Sequence, residues 1–191
     1  MKLVSGWAIA LSVFLVSACG RTDIIVHVPP SDGAVVVDFE TESGEITPRL
    51  TVVLDPVAFG GAYLFDDAPS GAAAPPDQSG TALYVFEIQR PGVRDYFIRG
   101  LAFAPTTDRD SFFLKVDDGQ EIDYFTSGGD CYPDNTCVDH WQWVLVAEGG
   151  TYRTPWDPIP FPLGPGQHSL QLRAREGQSA VDRIQLLDGL D

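Results

Sequence analysis

The sequence predicts an all-β sandwich, and three observations carry that reading. No stretch of useful length repeats apolar residues at the helical period. Short apolar runs alternating with polar residues recur along the chain, separated by turn residues. Residues 166–186 then supply two strands and a tight connection. Leu170, Leu172 and Ala174 alternate with Gln171, Arg173 and Arg175, and Val181, Ile184 and Leu186 mark a closing strand. Between them Glu176-Gly177-Gln178-Ser179 has turn chemistry, with Gly177 free to take positive φ. The pair reads as a hairpin.

The chain has 191 residues, enough for one domain with a real core. Its start is not fold. Met1-Lys2 is a minimal basic region and residues 3–16 are mostly apolar, a run too short to span a bilayer. Val16-Ser17-Ala18-Cys19 resembles a bacterial lipobox, which implies cleavage before Cys19 and its acylation. The expected layout is a signal peptide over 1–18, lipidated Cys19 and a tether over 19–33, and the sandwich over 34–191. With Cys19 lipidated, Cys131 and Cys137 remain. Beyond the cytoplasmic membrane a local disulfide between them is the natural inference, a two-thiol metal site the competing one.

The elements follow in order. Ile24–Val28 has strand character but is cut off by Pro29-Pro30-Ser31-Asp32-Gly33. Residues 34–40, AVVVDFE, open the domain, with Val35, Val37 and Phe39 on one face and Val36, Asp38 and Glu40 on the other. Residues 45–54 and 57–65 read as strands around Asp55-Pro56, and 66–80 as a loop. Strands follow at 82–89, 96–104 and 111–117, the last ending in an Asp118-Gly119 turn. Residues 141–146 form another, whose Trp141 and Trp143 share a face and are expected to pack in the core. Residues 155–165 are Pro-rich and irregular.

Formal charge is −15, becoming −16 once Lys2 is removed. Such a surface excludes nucleic acid as a partner and disfavours docking on anionic lipid, so the membrane link is the anchor. No G-x-S-x-G, H-E-x-x-H or Gly-rich phosphate loop is present. His140 beside Asp139 makes a poor acid–base pair, because strand neighbours point to opposite faces. His168 reads as structural. Asp66-Asp67 and Asp117-Asp118 read as loop solvation and a turn.

The closing residues Gly166-x-His168-x-Leu170, Arg173-x-x-Glu176-Gly177 and Asp182-Arg183-Ile184-x-Leu186 resemble the last strands of galactose-binding-like jelly rolls, notably carbohydrate-binding modules of families 6 and 35. Gly60-Gly61-x-Tyr63 is similar to the family's Gly-Gly-x-Tyr segment. Tyr96-x-x-Arg99-Gly100 and the run from Asp110 to Gly119 are similar to its central strands. The resemblance spans about residues 34–186 and implies an all-β jelly-roll β-sandwich.

It also implies a structural Ca²⁺ held by Asp38, Glu40 and Asp182, whose carboxylates suit a hard cation once the first and last strands meet. The alternative leaves Asp38 facing solvent and Asp182 paired with an arginine. In the families resembled, sugar binds at loops on one edge of the sandwich. Here Tyr132, Asn135 and Trp156 are the leading candidates, with Tyr152 and Tyr63 beside them. The implied function is a non-catalytic carbohydrate-binding lipoprotein of the bacterial outer membrane, facing periplasm or cell surface. The alternative is a structural or protein-interaction lipoprotein with the same fold and no sugar site.

Overall fold

The computed structural model describes residues 34–68, 75, 79–127, 138–147 and 158–190. Among them, strands build two facing antiparallel sheets. The larger contains β1 (Ala34–Glu40), β3 (Leu50–Leu54), β4 (Ala62–Asp66), β6 (Arg94–Phe103), β9 (Trp141–Leu145), β10 (Phe161–Leu163) and β12 (Ala180–Asp188). The smaller contains β2 (Glu45–Ile46), β5 (Thr81–Ile88), β7 (Ser111–Val116), β8 (Ile122–Phe125) and β11 (Gly166–Ala174).

The last strand is the spine of the larger sheet. β6 runs along one side of β12; β1 and then β4 share the other, with β3 outermost. First and last strands therefore meet, from Ala34↔Asp188 to Glu40↔Arg183. β9 and β10 both pair with the far side of β6. In the smaller sheet β11 is central, between β5 and β7.

Alternation sets the core. Ile98, Ile184 and Leu186 of the larger sheet face Tyr84, Phe86, Leu114, Leu170 and Leu172 of the smaller, all buried in one cluster. Each such side chain contributes roughly 1.5–3 kcal/mol by leaving water. Phe39 bridges the layers, its ring 5.2 Å from Tyr84 and 5.9 Å from Phe86.

Several expectations are corrected. The closing pair is not a hairpin: β11 and β12 lie in different sheets, and residues 175–179 carry the chain across between them. Gln178, at φ 75°, takes the left-handed conformation there rather than Gly177. Gly177 is instead in tight quarters, since a Cβ on it would sit 2.1 Å from the Ala68 carbonyl oxygen. Residues 45–54 divide into β2 and β3 in opposite sheets, because Pro48 and Arg49 (φ 73°) break the run. The expected strand at 57–65 shortens to β4, preceded by a 3₁₀ turn at Phe59–Gly61 in which Gly60 and Gly61 have φ of 66° and 89°. Two strands were not anticipated, β8 and, within the Pro-rich stretch, β10.

A second 3₁₀ turn at Thr41–Ser43 locks the join of β1 to the spine. Thr41 Oγ1 donates to the Val181 carbonyl (2.5 Å) and accepts the Leu64 N–H (3.2 Å). This matters for chemistry because β12 is irregular there: Val181 pairs Ala102 while Arg183 pairs Leu101, leaving Asp182 as the extra residue of a bulge.

Candidate functional site

The bulge aims Asp182 into an acidic cluster. Its Oδ2 accepts the Phe59 N–H at 3.0 Å, and its Oδ1 is buried without a partner. Glu40 Oε2 and Glu42 Oε2 are likewise buried and unpartnered. Gly60 lies among them, since a Cβ there would come 2.7 Å from Glu42 Oε1 and 3.4 Å from Glu40 Oε2. Burial above all, then the charges of Glu40 and Glu42, push the Asp182 carboxyl up to about 6 against the Phe59 hydrogen bond. Burial likewise raises Glu40, with Arg183 opposing and Glu42 and Asp38 adding to the rise.

Asp38 stands apart from this cluster. Arg183 Nε and Nη2 donate to its two carboxylate oxygens at 2.6 Å each, and Gln185 Nε2 donates at 3.2 Å. Of the expected trio, Glu40 and Asp182 share the cluster, and Glu42, which sequence reasoning passed over, takes the third place. As the side chains stand, no group of three or more His, Cys, Asp or Glu among the described residues is arranged to hold a metal ion.

A second feature covers the outer face of the larger sheet. Trp141 and Trp143 are not core residues as expected; both are half-buried and pair, outward, with Phe103 and Leu101. The ring of Trp141 lies 5.2 Å from Tyr63 and 5.7 Å from Phe103. Beside this row the Arg99 guanidinium sits 4.7 Å above the Trp143 ring. Arg99 Nε donates to Gln185 Oε1 (2.9 Å), and Gln185 continues the line to Asp38. Half-buried aromatic rings and hydrogen-bonded polar groups, the buried Gln185 among them, thus share the outer face of the larger sheet.

A third cluster lies where β6 and β8 end and β7 begins. Asp110 is buried, accepts from Ser127 Oγ at 2.5 Å, and its N–H donates to Glu176 Oε2 at 3.3 Å. Ser111 Oγ donates to the same Glu176 oxygen at 2.6 Å, and Arg175 Nη1 to Oε1 at 2.9 Å. Burial first, then the Glu176 charge, push Asp110 up to about 7 despite the Ser127 bond.

The histidines do other work. His168 Nδ1 and Nε2 lie 2.8 Å from Asp117 Oδ2 and 2.9 Å from the Gly164 carbonyl. Burial lowers its pKa, and those two acceptors outweigh it, leaving a net rise. His140 Nδ1 meets the Val138 carbonyl at 3.0 Å.

Tyr132, Asn135, Cys131 and Cys137 fall outside the described residues, as do Tyr152, Trp156 and Cys19. Their flanks are informative. The connection with Tyr132 and Asn135 enters β9 at Trp141, whereas that with Tyr152 and Trp156 leaves β9 beyond Leu145. The two connections therefore join opposite ends of that strand. Tyr63, the remaining candidate, stands in the aromatic row.

No protein-family model matches the chain, and no curated protein matches it in sequence. Solved structures do match. The C-terminal CBM6 of a marine laminarinase from Zobellia galactanivorans superposes with a TM-score of 0.52 at 13% identity, over 80% of this chain and 98% of that one. The fold is a galactose-binding-like jelly roll. A GH26-CBM35 β-(1,4)-mannanase from Podospora anserina shares it, at a TM-score of 0.50 and 16% identity, over 81% of this chain and 28% of that one. So does an exo-β-1,3-galactanase from Phanerochaete chrysosporium, in complex with β-1,3-galactotriose, at a TM-score of 0.50 and 15% identity. There the jelly roll covers 80% of this chain but only 29% of the galactanase.

Proposed function

We propose that this jelly roll is a non-catalytic carbohydrate-binding domain, tethered to the bacterial outer membrane through lipid on Cys19. The observation that carries the reading is the row Tyr63–Trp141–Phe103 beside Arg99 over Trp143, half-buried on the outer face of the larger sheet. Sugars present flat CH faces that stack on such rings, while hydroxyls bond to neighbouring guanidinium, amide and carboxylate groups. Arg99, Gln185 and Asp38, already joined by hydrogen bonds, are held in place without the ligand, which lowers the ordering cost of binding. Tyr132 and Asn135, in the connection that enters β9 at Trp141, would add to this surface; Tyr152 and Trp156 belong to the other connection. A Cys131–Cys137 disulfide would stiffen the first of these.

Ca²⁺ is assigned a bracing role. Glu40, Glu42 and Asp182 would hold it, because three buried carboxylate oxygens without partners around Gly60 offer the hard donors such an ion takes. The ion would neutralise carboxylates that otherwise repel one another at the join of first and last strands.

Affinity electrophoresis and a broad glycan array test the function. Glycan retention by the wild-type chain, lost in Trp141→Ala and Tyr63→Ala while circular dichroism is unchanged, is the expected result. A folded wild-type protein that retains no glycan overturns the reading.

A further inference from the structure

His168 meets a hydrogen-bond acceptor at each nitrogen of its ring. Nδ1 lies 2.8 Å from Asp117 Oδ2, and Nε2 lies 2.9 Å from the Gly164 carbonyl oxygen. A carbonyl only accepts, so the second contact needs a proton on Nε2. Asp117 is an acceptor too. Its Oδ1 takes the Ser169 N–H at 2.7 Å and the Ser169 hydroxyl at 3.4 Å. Burial opposes ionisation of that carboxyl, but the bonds from His168 and Ser169 outweigh it and hold the group below the usual carboxylate range. The first contact therefore needs a proton on Nδ1. Only the doubly protonated imidazolium satisfies both, since either neutral tautomer sets a ring lone pair against an oxygen.

The charged groups of the surrounding elements leave this ring to Asp117. Phe86 of β5 pairs with His168, ring centroids 5.6 Å apart, while Glu87 beside it is exposed. On β7, Leu114 and Val116 face the core and Lys115 faces away; Asp118 beyond them is exposed. Arg90 and Arg94 turn to Asp188, and Asp95, opposite Pro162, is exposed. The charge that acts on the imidazole is that of Asp117.

What the ring holds is the passage of the chain from one sheet to the other. Gly164 stands between β10 of the larger sheet and β11 of the smaller. Asp117 ends β7 at φ 49°, with its N–H on the Ser169 carbonyl at 3.0 Å. β10 has little else to hold it. It spans only Phe161–Leu163, Pro162 has no N–H to give, and among the described residues it pairs only with β6. The Val146 N–H donates to the Ile98 carbonyl at 2.8 Å, so the even-numbered residues of β6 bond toward that side. Phe161 and Leu163, opposite Tyr96 and Arg94, thus carry the ladder of β10.

We propose that His168 is a pH-operated latch: as an imidazolium it fastens the crossing from β10 to β11, and loss of a ring proton frees the Gly164 carbonyl and loosens β10. The acceptors set the direction of release. A neutral ring keeps its proton on Nδ1, because a lone pair there would face a full negative charge; Nε2 then turns its lone pair on Gly164. Burial lowers the pKa of the ring, and the Asp117 and Gly164 bonds overcome it, so the folded value lies above the ordinary 6.5. The latch is shut below that ordinary value and opens as pH rises through the folded one.

Nitrogen-15 NMR of the purified full chain in detergent tests this, with His168→Gln identifying the ring signals. At about pH 6 both ring nitrogens should carry protons, and the midpoint should lie above that of an ordinary histidine. The neutral form should be the Nδ1–H tautomer, and Asp117→Asn should lower the midpoint. Hydrogen exchange gives a second readout. Above the midpoint the Phe161 and Leu163 amides should speed up relative to those of β5 and β11, and in His168→Gln that ratio should not change with pH. A neutral imidazole at about pH 6, a midpoint unmoved by Asp117→Asn, or a wild-type ratio equal on both sides of the midpoint would each overturn the proposal.

Discussion

Arg183 grips both carboxylate oxygens of Asp38 at 2.6 Å, across the join between the final strand and the first. The pair neutralises Asp38 and pins two strands more than a hundred residues apart in sequence. It also separates the roles of the acidic residues nearby: Asp38 fastens the seam, while Glu40, Glu42 and Asp182 carry the unpartnered oxygens.

Calcium should therefore read those residues differently. Adding Ca²⁺ to chelator-treated protein is expected to raise the melting temperature, and Asp182→Asn to remove the response. Asp38→Asn should lower stability while leaving the response to the ion in place. Differential scanning calorimetry with and without EGTA makes the measurement; loss of the Ca²⁺ response in Asp38→Asn would show that Asp38 is a ligand after all.

Asp66 is fully buried and is held by the Arg49 guanidinium. Arg49→Ala removes the partner and strands a carboxylate out of water. Breaking such a pair costs about 3–5 kcal/mol, read as a lowered urea midpoint with unchanged slope. The double variant Arg49→Met, Asp66→Leu should recover a large part of the loss, since it leaves no orphan charge.

The pH dependence should carry the signature of Asp110. Its carboxyl is pushed up to about 7 in the fold, from 3.8 ordinarily. Between those values the folded chain binds a proton that the unfolded chain does not, so stability rises as pH falls from about 7.5 toward 5. Asp110→Asn should make the slope of melting temperature against pH shallower in that window while preserving the Ser127 hydrogen bond, the raised Asp182 and His168 supplying what remains. A slope identical to wild type would mean that Asp110 contributes nothing to it.

Gly177→Ala tests close packing. The added methyl meets a backbone carbonyl at 2.1 Å, which cannot swing aside as a flexible side chain can. A loss of about 1–3 kcal/mol is expected from the crossing between the sheets, by thermal or urea unfolding. Gly92→Ala gives a useful contrast: nothing lies within 4 Å of its added methyl, and only its φ of 81° opposes the change.

Much of this architecture was legible in the residues. Alternation in Ser111–Val116 and Ala180–Asp188 marked strands, and the likeness of the closing residues to jelly rolls pointed to the meeting of first strand and last. Period two tells which side of a sheet a residue faces, but not which sheet its strand joins. That is why β11 and β12 looked like a hairpin. β10 was hidden by Pro162, acceptable because among the described residues that strand pairs only with β6. The site was less legible still. Asp38 and Glu40 do share a face, yet nothing in the local pattern announces that Arg183 takes the first or that a 3₁₀ turn brings Glu42 to the second. The contact of Tyr63 with Trp141 is a product of sheet order alone.

Because Ala34 pairs with Asp188, the domain is held at one pole, while the connections after β6, β8 and β11 leave from the other. With the proposed anchor at Cys19, the chain from there to Ala34 can span at most roughly 50 Å. The domain would then hang with Trp141 and Asp110 leading outward, away from the bilayer.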